Sequence, residues 1–146
     1  MGYYMRFFQT DDSDLNLSGI EAGLRQIDPA YAIERDAPDS ITGLLKYRDD
    51  LYGEIELNRR GEGLADEEIE EFRERVAAEG DGSTEQVLQT LDECRCIVAL
   101  RLLFRGFDNL DRIAPLWDLL FQNCEGLMQA DSEGFYDSEG LILSVS

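Results

Sequence analysis

Tyr52, Glu54 and Glu56 alternate along one stretch of the chain, and paired carboxyls beside a phenol are its nearest approach to acid–base machinery. In an extended strand Glu54 and Glu56 share a face, roughly 6.6 Å apart at about 3.3 Å per residue. In an enclosed cleft such a pair could divide into an acid and a base. The chain carries 32 acidic residues among 146, however, so close pairs also arise by chance. A solvated outer face is the plainer reading, and the three residues form an alternative pocket for a small ligand or an enzyme reaction.

Histidine is absent from the sequence. That removes His-based triads, most zinc sites and the commonest general base. Cys94, Cys96 and Cys124 are odd in number, and the C-R-C spacing is not the CxxC of a redox or zinc site. Buried free thiols in a reducing compartment are expected, and no imidazole stands ready to activate a cysteine nucleophile.

Two loops look like ligand motifs and fail on inspection. "DSEGFYDSEG" (131–140) would need, as an EF-hand loop begun at Asp131, an oxygen ligand at position 5, Gly at 6 and Glu at 12. Phe135, Tyr136 and Ile142 occupy those places. Hairpin turns are the expectation, with Gly134 and Gly140 free to take positive φ; a weak divalent cation is the alternative. "RRGEGLAD" (59–66) follows a strand and precedes a helix, as a dinucleotide-binding turn would. Its helix opens with Asp66, Glu67 and Glu68, which would repel a pyrophosphate. No cofactor or metal site is expected.

Charge distribution is the most informative feature. Thirteen basic residues oppose 32 acidic ones, for a net charge of −19, and twelve of the thirteen are Arg, with Lys46 alone. Such a chain repels nucleic acid and anionic membrane. Residues 61–93 hold twelve carboxylates against Arg73 and Arg75. With Ile69, Phe72 and Val76 set inward as the apolar stripe of a helix, Glu67, Glu70, Glu71 and Glu74 point outward. Those four are the candidate partner-binding residues, suited to a basic protein surface.

The elements that position these residues can be read from periodicity. "YMRFFQT" (4–10) reads as a strand, and "LSGIEAGLRQID" as a helix with a Ser18–Glu21 capping box and a stop at Pro29. "ITGLLKY" and "LYGEIELNR" form a hairpin around Arg48–Asp50. In the second strand Leu51, Gly53, Ile55 and Leu57 take one face, and Tyr52, Glu54, Glu56 and Asn58 the other. The acidic helix follows, then a second helix with a capping box from Ser83 to Gln86. "CIVALRLLF" (96–104) is a central strand. Ile113, Leu116, Trp117, Leu120 and Phe121 mark a last helix beginning near Asp111, because Pro115 fits only its first turn. Short strands separated by turns end the chain.

The expected fold is a single α+β domain over residues 1–146, one mainly antiparallel sheet with helices packed largely on one face. Its order, β-α-β-β-α-α-β-α-β-β, is analogous to ferredoxin-like sandwiches, an analogy of architecture that implies no function. No apolar run approaches the roughly 20 residues of a bilayer span. The start, MGYYMRFF, lacks a secretory signal's apolar region, and Arg6 stands where a myristoylation signal wants Ser or Thr. A cytoplasmic setting is expected.

The leading functional expectation is a non-catalytic protein-binding module of inhibitor, immunity or charge-mimic type. A third reading is a self-associating module, a homodimer paired through the aromatic N-terminal strand or the terminal hairpin, with acidity that answers a saline cytoplasm.

Overall fold

Alternating and continuous apolar runs divide the described residues into eight strands and five helices. The computed structural model describes residues 2–79 and 83–145. The strands are β1 (Tyr3–Gln9), β2 (Tyr31–Glu34), β3 (Thr42–Tyr47), β4 (Asp50–Arg59), β5 (Cys96–Leu102), β6 (Gly126–Ala130), β7 (Gly134–Asp137) and β8 (Gly140–Ser144). The helices are α1 (Leu17–Ile27), α2 (Leu64–Glu79), α3 (Thr84–Glu93), α4 (Phe104–Asp108) and α5 (Ala114–Asn123), with a 3₁₀ turn at Leu110–Arg112.

All strands join one antiparallel sheet in the order β2-β3-β4-β5-β1-β6-β7-β8. The α+β class and the antiparallel sheet are therefore as expected. β1, the aromatic N-terminal strand, lies in the middle, paired with β5 on one side and β6 on the other. Because both neighbours run antiparallel to β1, β5 and β6 run parallel to each other with β1 inserted between them. The chain β5–α4–α5–β6 is thus a split βαβ unit.

The helices divide between the two faces of the sheet, where the sequence suggested one. On one face, α1 and α5 cover Phe7, Leu45, Ile55, Leu57, Val98 and Leu100. On the other, Ala65, Ile69, Phe72 and Val76 of α2, with Val87 and Leu91 of α3, cover Phe8, Ile97, Ala99, Leu127 and Phe135. The physical reason is visible in β5. Cys96 to Leu100 are all buried, so both faces of this central strand need cover, and one layer of helices supplies only one.

Local signals set the boundaries, with corrections. Asn16, not Ser18, caps α1: its side chain accepts the Gly19 N–H at 2.7 Å. Ser83 precedes α3 but makes no side-chain capping bond. Leu110–Arg112 form the 3₁₀ turn, and α5 begins at Ala114 with Pro115 in its first turn, where a missing N–H costs nothing. Arg48 and Asp49 both have positive φ, the geometry of a tight two-residue hairpin turn between β3 and β4.

β4 contains a bulge. Lys46 pairs with Leu51 and Leu45 with Gly53, which leaves Tyr52 as the extra residue. Alternation resets there, and Tyr52 joins the buried side with Ile55 and Leu57, edge-on to the Tyr47 ring. Beyond the bulge, α4 closes over the strand. Gly106 of α4 is buried where a Cβ would collide with the Tyr52 carbonyl oxygen, which itself accepts the Leu103 N–H at 3.1 Å.

Candidate functional site

The acidic helix is anchored before it is displayed. Ile69, Phe72 and Val76 are buried, and Phe72 meets both Phe8 and Phe135 edge-on. That fixes the rotation of α2 and leaves Glu67, Glu70, Glu71 and Glu74 exposed, as the spacing predicts. Arg73 pairs with Asp92 of α3 and lies 4.0 Å from Glu70. Arg75 lies over the Phe72 ring. Glu67, Glu71 and Glu74 have no side-chain partner among the described residues, so the helix presents uncompensated carboxylates in a row.

Glu68, on the same helix, behaves differently. It turns toward the sheet, and its carboxylate accepts from Arg6 Nε at 2.6 Å. Arg6 also donates through Nη1 to Gln129 at 2.8 Å and to Asp131 at 2.9 Å, and its guanidinium lies over the rings of Tyr4 and Phe72. Burial pushes the Glu68 carboxyl up against the pull of Arg6. Asp131 is held below the ordinary carboxylate range: hydrogen bonds from Gln129, the Tyr4 N–H and Arg6 outweigh its partial burial. This network joins α2 to β1 and β6. It escaped the sequence reading because Arg6, Glu68 and Asp131 are brought together only by the sheet order.

Glu54 and Glu56 stay together, but Tyr52 does not join them, because the bulge carries it to the opposite face. The two carboxylates line an open cleft of about 330 Å³ on the part of the sheet that α2 and α3 leave bare. Register places Thr42 beside Glu56 and Leu44 beside Glu54, with Arg101 and then Tyr4 across from Glu54. Arg101 pairs with Glu54, and Asn58 donates to Glu56 at 3.1 Å. The cleft is a ladder of cross-strand pairs, about half exposed at Glu54, and among the described residues no hydrogen bond joins the Thr42 or Tyr4 hydroxyl to its carboxylates.

The two motif-like loops are closed by their own side chains. In the 59–66 loop, Gly61 and Gly63 take positive φ. Asp66 turns back to accept the Gly61 N–H at 3.2 Å and pairs with Arg60 at 3.1 Å, so its carboxylate fills the place an anion would need. The 131–140 segment forms two turns around β7. Ser132 and Gly134 have positive φ, and Asp137 accepts the N–H groups of Glu139 and Gly140. Among the described residues no group of three His, Cys, Asp or Glu side chains is placed to hold a metal ion. Cys94, Cys96 and Cys124 are all free and buried. Burial pushes the Cys94 thiol up to about 12 and that of Cys96 to about 11, so neither is a ready nucleophile.

The two sheet edges are treated differently, a contrast no sequence signal announced. At the β2 edge, Glu21 of α1 accepts the outward Ile33 N–H at 2.7 Å, while Arg35 donates to the Ile33 carbonyl at 3.0 Å and pairs with Glu21 at 3.1 Å. One ion pair thus satisfies both exposed backbone groups of Ile33. At the β8 edge, no side chain bonds the backbone of residues 141–144 among the described residues. No described helix is long and apolar enough to cross a membrane.

No protein family, curated protein or solved structure matches this chain.

Proposed function

We propose that this protein is a non-catalytic binding module whose acidic α2 face docks on a basic surface of a partner protein, as an inhibitor, an immunity protein or a mimic of nucleic-acid charge would. The observation that carries this reading is the contrast within one helix. Glu68, the half-buried carboxylate, is matched to Arg6, whereas Glu67, Glu71 and Glu74, the exposed ones, have no side-chain partner among the described residues. Parallel carboxylates repel one another, and a cationic partner relieves that repulsion while steering fast association. We take the setting to be a reducing cytoplasm, on the support of three buried free thiols. The enzymatic reading loses support, since its tyrosine and its carboxylates occupy opposite faces.

Position must be separated from total charge in the test. One variant carries Gln at Glu67, Glu70, Glu71 and Glu74. A second carries Asn at Asp12, Asp14, Asp39 and Asp49, four exposed carboxylates elsewhere. Both lose four charges. Quantitative capture from a cytoplasmic extract should lose its salt-sensitive partner only with the first. Equal loss with both variants, or no loss with the first, would refute the docking role of α2.

A further inference from the structure

The unprotected edge of the sheet adjoins an apolar groove. Between α5 and strands β6–β7 lies a groove of about 360 Å³, walled by Trp117, Phe121 and Met128. Its rim carries Asp118, Asp137 and Glu139, and no Arg or Lys lines it. Gly140, the first residue of β8, belongs to the groove and to the open edge alike. The bulge in β8 connects the two further. Tyr136 pairs with Leu141 and Phe135 with Leu143, so Ile142 is the extra residue. Leu143 stays in the core beneath α2 and α3, while Leu141 shares the side of Tyr136, a groove residue, and is 49 % exposed. A bulge that sets one exposed apolar side chain on the sheet face that bears the groove, beside backbone groups that no described side chain bonds, is the arrangement of a strand acceptor. The indole N–H of Trp117, in the groove wall, also has no acceptor among the described residues.

We propose that β8 accepts an extended cationic segment of a partner protein as a ninth strand, with an apolar side chain of that segment against Leu141 at the edge of the groove and its Arg or Lys residues toward the acidic rim of Asp118, Asp137 and Glu139. Main-chain hydrogen bonds along β8 supply affinity, and the acidic rim supplies selection. A second copy of the chain is the poorer occupant. Pairing β8 with its own mate joins two chains of net charge −19, each bringing the same acidic rim.

Trp117 is the sole tryptophan, so its emission reports the groove directly. The probes are a synthetic heptapeptide of alternating Arg and Val, the same peptide with Glu for Arg, and an Arg–Val peptide N-methylated along one edge. The Arg–Val peptide should shift Trp117 emission saturably and slow amide exchange at residues 141–144. N-methylation should weaken it at least tenfold, since it removes the ladder and keeps the charge. Asp118→Asn with Glu139→Gln should weaken it about tenfold, and Gln at the four α2 carboxylates should leave it unchanged, which separates this site from the α2 face. Equal binding of the N-methylated or the Glu peptide overturns the proposal. So does a concentration-dependent dimer that protects residues 141–144 without any peptide.

Discussion

Arg6 of β1 and Glu68 of α2 meet at 2.6 Å across the seam between sheet and helix, and the same guanidinium holds Asp131 at 2.9 Å. One cation thus serves two carboxylates. Arg6→Met leaves both uncompensated and should cost about 3–5 kcal/mol in urea unfolding. Adding Glu68→Met should restore a large part of the loss, because it removes one stranded charge and fills the space with an apolar group. A single variant as stable as the parent would show that the network is dispensable.

Asp28 supplies a pH prediction. The Tyr47 hydroxyl donates to its carboxylate at 2.6 Å and the Ala30 N–H at 3.0 Å, and these bonds hold its pKa below the ordinary value. A depressed folded pKa contributes stability above the unfolded value and loses it as pH falls through the folded one. Tyr47→Phe removes the hydroxyl donor, so the Asp28 midpoint followed by NMR should rise toward the unperturbed value. An unmoved midpoint would assign the depression to the backbone bond alone.

The display of charge on α2 has a stability cost. Glu67 and Glu71, like Glu70 and Glu74, are like charges at i, i+4, each pair costing roughly 0.2–0.5 kcal/mol. Glu71→Gln with Glu74→Gln breaks both pairs and should stabilise the protein by about 0.5–1 kcal/mol at low salt. The gain should shrink as salt screens the parent. A destabilised double variant would mean that these carboxylates are structural. Strong stabilisation of the parent by molar salt, with no contribution from this pair, would favour acidity as adaptation to a saline cytoplasm.

The Glu21–Arg35 pair predicts a gain of association on its removal. Glu21→Ala with Arg35→Ala exposes the Ile33 N–H and C=O on a strand edge, and such edges template pairing between chains. Sedimentation should show the variant associating at concentrations where the parent does not. Unchanged sedimentation would indicate that the shortness of β2 already suffices.

The secondary structure was legible where periodicity was long. The stripe Ile69, Phe72, Val76 placed α2 and its outward carboxylates, and the aromatic run at Tyr4 placed β1. Two features were hidden for reasons of scale. The bulge at Tyr52 depends on pairing with β3, and a one-residue slip reverses the face of every side chain on one side of it. β2 is four residues long with one clean alternation, too short to announce itself, so Glu21 reads as a capping residue when it guards an edge. The two-faced layering was foreshadowed by the unbroken apolar run of β5, which demands cover on both sides.

The central position of β1 sets a timetable for synthesis. Tyr3–Gln9 precede the other described strands in chain order, yet their partners run from Cys96 to Leu102 and from Gly126 to Ala130. At roughly 5–20 residues per second, the wait for β5 alone is on the order of 5–20 seconds. Through that interval Phe7 and Phe8, wholly inaccessible in the finished protein, stay unpaired on the nascent chain while the β3–β4 hairpin can already close. Completing the sheet therefore requires β1 to insert between β5 and β6, and translation speed through the residues up to Ala130 governs how long that aromatic segment is open to chaperones and to aggregation.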